Sequence, residues 1–468
     1  MKRSKKLIVL AAVLAVLVIV TLVVQNIVTK NEEAATEAED TSVTFLTVDA
    51  DAVTALGWTY NDETVNLTDT DGTWADADDA AFPVDATYPD AMLDVLNEVT
   101  ASRAFESDDT SEYGLDAPAY TITISAGTDT TLLIGDTSEI SGEYYASIGD
   151  GNIYLVASDL VDPFTYGLWD ILQMETIPDM SALSGIDIST ASGDLSLVKL
   201  EDSNYSYTDA YTWFLQQSYS CDALGDAADT LADSLTGLSW ASCVSYNATE
   251  EDLVTYGLDD PNATVVMYYT QDSDDDSDTT TAEAETFTLE IGGFTDDGYY
   301  ARIQGSNMVY LIDSTLAQSI FSADYDSLRP TDVCLLDWDT VSSFEVTLDG
   351  ETYAFERSTK DVTDDDGNVT TENIFLMNGE EVDSDLVNDV LDTIYSMSST
   401  GTTDDTPGAA EITFAFHRDT DTFTDINLGF YRFNSSTCIV GFNGETRLAV
   451  ARTDVVNLIE AVNAILLQ

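Results

Sequence analysis

His417, in Phe414-Ala-Phe-His-Arg418, is the only imidazole in the chain, so any nucleophile working through a histidine base would have to use it. No Gly-x-Ser-x-Gly elbow accompanies it and no Asp stands at a patterned distance, so an exposed place on a strand is the simpler account. Carboxylates present the opposite difficulty. With 87 Asp and Glu, two acids close in sequence carry no information about general acid–base work. Asp364-Asp-Asp-Gly367 looks like the start of a calcium loop, but placing Gly367 sixth puts Val362 first and Asn373 twelfth, and both end ligands fail. Weak, nonspecific association of Ca2+ or Mg2+ with acidic loops is therefore expected, with no dedicated metal and no cofactor. A phosphate loop, a Gly-x-Gly-x-x-Gly turn and a Cys-x-x-Cys pair are all missing from the sequence. Cys221 and Cys243 bracket a helix, and a returning strand could bring them together as a disulfide. Nothing comparable brackets the chain's other helices, and Cys334 and Cys438 have no evident pairing.

The elements that must hold these residues are announced by charge. Against 87 acids stand 15 Lys and Arg, a formal net charge of -72, which argues against DNA, RNA or anionic headgroups as partners. Five of the basic residues (Lys2, Arg3, Lys5, Lys6, Lys30) precede the first acid. Between them runs Leu7 to Val24, interrupted only by Thr21, about 27 Å long as a helix. Residues 1–28 read as a cytoplasmic basic tail and an uncleaved single-span anchor. The alternative, a cleaved signal, ordinarily has a shorter apolar core. Residues 29–42 read as an acidic stalk, and the bulk that follows is expected outside the cell membrane.

Beyond the stalk the chain repeats itself. Tyr113-Gly114-Leu115-Asp116-Ala117-Pro118 returns as Tyr256-Gly257-Leu258-Asp259-Asp260-Pro261. Each is followed in order by a β-rich run, by Leu132-Leu-Ile-Gly135 or Leu289-Glu-Ile-Gly292, and by Tyr144-Tyr-Ala-Ser-Ile148 or Tyr299-Tyr-Ala-Arg-Ile303. A degenerate third copy lacks the turn, has Thr406-Pro-Gly-Ala-Ala410 there, and offers Ile426-Asn-Leu-Gly429 for the Ile-Gly strand. Three units follow, at 43–168, 175–325 and 334–468. In each, two or three strands precede one main helix (Tyr88 to Thr100, Asp222 to Thr236, Ser384 to Met397) and about four strands come after it. Alternation such as Thr121-Ile-Thr-Ile124 marks half-buried antiparallel sheets with a helix on one face. The expected class is α+β: a transmembrane helix, then three tandem repeats of antiparallel sheet and main helix. The acidic stretches 271–285 and 360–372 are expected as solvated loops inserted into one and the same hairpin of the second and third copies.

In the turn motif, Gly114 and Gly257 are suited to positive φ, Leu115 and Leu258 to core plugs, and Pro118 and Pro261 to fixing the start of the next strand. That is a structural job. Of the paired tyrosines, one of each pair should face the core and the other solvent, where a tyrosine strip could take sugar or peptide.

These motifs and the N-terminal segment together resemble domain-of-unknown-function family 4340. The resemblance covers most of 43–325 and, more weakly, the rest. It implies a bacterial membrane-anchored protein of repeated units, a companion of gliding-type ABC transporters, and supplies no catalytic residues. The leading expectation is a non-catalytic, extracytoplasmic accessory or scaffold subunit beside an ABC transporter or other envelope complex. Behind it stand a module binding envelope polymer or peptide, and then a carboxylate-dependent hydrolase.

Overall fold

The computed structural model describes residues 42–200, 205–216, 223–270, 284–363 and 369–467. Two compact units divide the chain, the first ending at Glu175 and the second running from Thr176 to Gln468.

The first unit is built on an eight-stranded sheet. Its strands lie in the order Thr73–Asp76, Glu63–Thr70, Ala55–Tyr60, Tyr120–Ala126, Thr128–Thr137, Tyr144–Ser147, Asn152–Val156 and Arg103–Glu106. Every pairing is antiparallel. A three-strand meander starts at the centre and runs to one edge. The chain then crosses one face as the helix Thr87–Leu96, lays a short strand at the opposite edge, and returns by a four-strand meander that pairs with both. A helix between the two edges must span the sheet, so it presents one apolar stripe to it: Met92, Leu93 and Leu96 are buried. Ile122 and Ile124 point from the sheet into the same core, while Thr121 and Thr123 face outward. A two-stranded sheet, Val43–Leu46 with Val99–Ala101, completes this unit.

The second unit contains the same strand order twice. One sheet has eight strands, with Ala182–Thr190 and Ala263–Thr270 as its central pair, and the other has nine, with Val341–Leu348 beside Ala410–Arg418. The crossing helices are Asp226–Thr236 and Ser384–Tyr395, each burying four side chains, and Asp383 caps the latter by accepting from the Asp385 amide. A closing helix, Ser314–Phe321 or Arg452–Leu466, packs beside each. Tyr207 ties the two sheets of this unit together. Its ring lies 4.8 Å from that of Phe442, its hydroxyl accepts from the Leu335 amide at 3.1 Å, and its carbonyl accepts from Arg418 at 3.0 Å.

The expected α+β class gives way to a mainly β architecture, and the transmembrane helix expected at the start is not among the described helices. The described residues are mostly strand, 27 strands in four sheets against seven α-helices, and no helix among them is long and apolar enough to cross a membrane. The anchor from Leu7 to Val24 and the stalk lie outside the described residues. Each sheet outgrows the expected six or seven strands because one more strand follows the main helix, Arg103–Glu106, Ser242–Ser245 or Gly401–Thr402, and in the third sheet a fourth strand, Glu380–Val382, also precedes it. Two to four residues are too few to show alternation, which hid them from a sequence reading. The stretch 360–372 is also displaced. Instead of a loop it largely extends a hairpin, with Lys360 opposite Glu372 and Thr363 opposite Val369, between the second and third strands of its sheet. The 271–285 insert instead lies between Ala263–Thr270 and Ala284–Thr295, so the two do not share a hairpin.

Candidate functional site

The Tyr-Gly-Leu-Asp turn and the Ile-Gly strand are two halves of one contact. Tyr113 ends a 3-10 turn and Tyr256 ends the helix Glu250–Tyr256, and Gly114 and Gly257 cap them with φ of 72° and 68°. The turn then lies so close to the sheet that a Cβ on Gly135 would sit 2.1 Å from the Tyr113 carbonyl oxygen, and one on Gly292 would sit 2.3 Å from that of Tyr256. Leu115 and Leu258 are buried, Leu258 in a small cluster of its own with Ala248 and Val309. Asp116 and Asp259 are exposed, Asp116 taking a hydrogen bond from Thr110, and Pro118 and Pro261 sit half-buried just before their strands. Thr249 and Asp252 form a capping box at the start of the helix that delivers the second turn. Bonds from the Thr249 hydroxyl and amide hold the Asp252 carboxyl below its ordinary range. A group with a lowered folded value stabilises at pH above its unfolded value and ceases to do so as pH falls through the folded one. Carboxyl 13C titration should therefore find Asp252 titrating below the ordinary Asp value, and Thr249→Ala, which removes the hydroxyl but keeps the amide, should return it part of the way.

Register fixes which residues correspond between the sheets. The first hairpin closes at Tyr60, Thr190 and Leu348, which pair across the centre with Tyr120, Ala263 and Ile412. Those three in turn oppose Ile134, Ile291 and Phe430. The third-copy residue at the place of Gly135 and Gly292 is therefore Tyr431, and the sequence match of Gly429 to that glycine is two residues out. A side chain there is incompatible with the turn, which explains why the third copy has lost it. Gly429 corresponds instead to Leu133 and Glu290.

The strand beside this position completes a cross-strand pair that differs in every sheet: Leu133 with Ser147, Glu290 with Arg302, Gly429 with Gly441. In the second sheet the pair is a buried ion pair. Arg302 Nε donates to Glu290 at 2.6 Å, another of its nitrogens donates to the Leu258 carbonyl of the turn at 3.1 Å, and Gln304 donates to the same carboxylate at 3.3 Å. In the third sheet the pair is two glycines, which make room for a neighbouring ring. The Tyr431 ring lies across them, with its edge 2.8 Å from where a Cβ on either would stand. Beside it opens a groove of about 440 Å³ bordered by Glu345, Thr347, Thr413, Asn427, Asn443 and Thr446. None of these residues was singled out from sequence, although glycines at matching places in two adjacent strands are a recognisable sign of close approach.

The remaining sequence candidates do not converge on the groove. His417 Nδ1 lies 2.7 Å from Asp425 Oδ1, a partner that sequence spacing had not revealed, and both side chains are well exposed. Ser343 stands opposite His417 on the next strand, yet among the described residues no hydrogen bond joins it to the ring. Cys243 is half-buried on the edge strand Ser242–Ser245, and Cys221 and the 364–367 stretch lie outside the described residues. Among the described residues no cluster of His, Cys, Asp and Glu could hold a metal ion. Burial pushes the Cys334 thiol up to about 12, and burial together with the Glu411 charge pushes Cys438 up to about 11. Both should resist a thiolate-selective reagent at pH 8 in the native protein and react fully in denaturant, which mass mapping of labelled peptides would check.

The match to known proteins follows the same geography. The model of a family described as a domain of unknown function, DUF4340, fits residues 74–178 and 213–412, well over half of the chain. The chain belongs to this family. The DUF4340 match takes in both Tyr-Gly-Leu-Asp turns and the two glycines beneath them, and stops at the strand that opens the second half of the third sheet. Tyr431, Gly441 and the amides of the groove lie beyond it. No curated protein matches the chain.

Proposed function

We propose that this DUF4340 protein is a non-catalytic, extracytoplasmic accessory or scaffold subunit that works beside an ABC transporter or another envelope complex. What supports the reading is one strand order used three times with one cross-strand position rebuilt each time. Two of the three versions, Leu133 with Ser147 and Glu290 with Arg302, lie beside a seated turn, and the third leaves an open face. That pattern suits a rigid framework carrying one differentiated contact surface. The large acid excess suits a partner that is neutral or basic where it touches. Tagged full-length chain purified in mild detergent from its native host should bring transporter or envelope subunits in fixed proportion. Recovery of the chain alone, at expression levels matching the native one, would overturn the proposal.

A further inference from the structure

We propose that the groove on the outer face of the third sheet is a binding site for a short uncharged saccharide, with Tyr431 as its platform. The inference goes beyond the accessory role and stands without it. Its first support is the difference between equivalent positions. Where the first two sheets carry Leu133 and Ser147, or Glu290 and Arg302, the third carries Gly429 and Gly441, and the space their side chains would fill is taken by the Tyr431 ring, which is thereby seated on the sheet face as a platform.

The second support is the chemistry of the border. Thr347, Thr413 and Thr446 offer hydroxyls and Asn427 and Asn443 offer amides, one of which is already placed: Asn443 Oδ1 accepts from the Asn427 backbone amide at 2.8 Å. Neutral donors and acceptors spaced along a strand face match a polyhydroxylated ligand. The half-buried Tyr431 adds an apolar ring with a polar tip, suited to the mixed faces of a sugar ring. The third support is charge. Glu345 is the one ionisable border residue besides Tyr431, no Lys or Arg is among the described lining residues, and a chain of net charge -72 repels polyanions. At about 440 Å³ the groove falls within the ~300–1,000 Å³ of small-ligand sites and can take about two sugar rings.

Calorimetric titration of the full chain with three neutral tetrasaccharides (of N-acetylglucosamine, β-1,4-glucose and α-1,4-glucose), each to ~10 mM, tests this against Kd values down from about 1 mM. At least one should bind, with hydrogen-exchange protection gained in 410–418 and 425–446. Tyr431→Ala and Asn427→Ala should each weaken it at least tenfold, and His417→Ala, outside the groove, should not. Because Tyr431→Ala also uncovers Gly429 and Gly441, Thr347→Val serves as a second border variant and should also weaken binding. The proposal is overturned by silence from all three sugars, by protection elsewhere, or by variants that bind normally. Tetragalacturonate binding as tightly as the neutral sugars would overturn it as well, and so would a Tyr-Gly-Leu-Asp peptide occupying the groove in their place.

Discussion

Arg302→Met should destabilise the second sheet by about 3–5 kcal/mol, the cost expected when one partner of a buried ion pair is removed and the other charge stays behind. Glu290 is 8% exposed, and its carboxylate takes Arg302 at 2.6 Å and Gln304 at 3.3 Å, so in the variant it keeps only the weaker, neutral donor. The loss has a second part. Arg302 also donates to the carbonyls of Leu258 and Ser306, which ties the Tyr-Gly-Leu-Asp turn to the sheet and braces the turn that follows Arg302's own strand. Urea titration read by tryptophan fluorescence should show the effect. The decisive comparison is the double substitution Glu290→Leu with Arg302→Ser, which installs the pair the first sheet uses, Leu133 with Ser147. Replacing both charges together should recover more than half of the loss, because no unpaired charge is left in the protein. If the double variant is as unstable as the single one, the pair's worth lies in clamping the turn and not in mutual neutralisation.

The same comparison shows how far the sequence could be read. Two turns with identical lettering, and the Ile-Gly and Tyr-Tyr strands behind them, were visible because backbone demands are written in residue type: a positive φ calls for Gly, and a close approach calls for Gly. The third copy was legible only in outline. Its Ile426-Asn-Leu-Gly429 imitates the motif two residues away from the true position, and only hydrogen-bonded register separates the imitation from the equivalent residue, Tyr431. Register depends on pairing across some seventy residues, between Val341–Leu348 and Ala410–Arg418, which no local pattern encodes. The groove was invisible for the same reason, since Gly429 and Gly441 become a floor only when their strands pair. The edge strands after each helix failed differently: at two to four residues they take their conformation from the neighbour that binds them and not from their own sequence.

Gly292→Ala should cost about 3 kcal/mol, at the upper end of what overpacking ordinarily does. The added carbon would stand 2.3 Å from the Tyr256 carbonyl oxygen, 2.9 Å from that of Gly257 and 3.0 Å from the Gly257 carbonyl carbon. All three are backbone, so no rotamer can give way, and the turn itself must lift. Lifting it stretches the bond from Arg302 to the Leu258 carbonyl, withdraws Leu258 from the cluster with Ala248 and Val309, and strains the bond from Asn262 to the Gly292 carbonyl at 2.8 Å. The neighbouring residue provides the control. A Cβ on Gly293 would meet the Tyr256 carbonyl oxygen at 3.4 Å, an ordinary contact, so Gly293→Ala should stay within about 0.5 kcal/mol of the parent. Hydrogen exchange separates a local event from a global one: in Gly292→Ala, amides of the helix Glu250–Tyr256 and of Leu258 should lose protection before those of Ala263–Thr270. The third sheet supplies the reciprocal case, because it already carries a side chain there and no turn. Tyr431→Gly should therefore leave that sheet folded, whereas equal damage from Gly292→Ala and Gly293→Ala would show that the turn is not seated on the glycine at all.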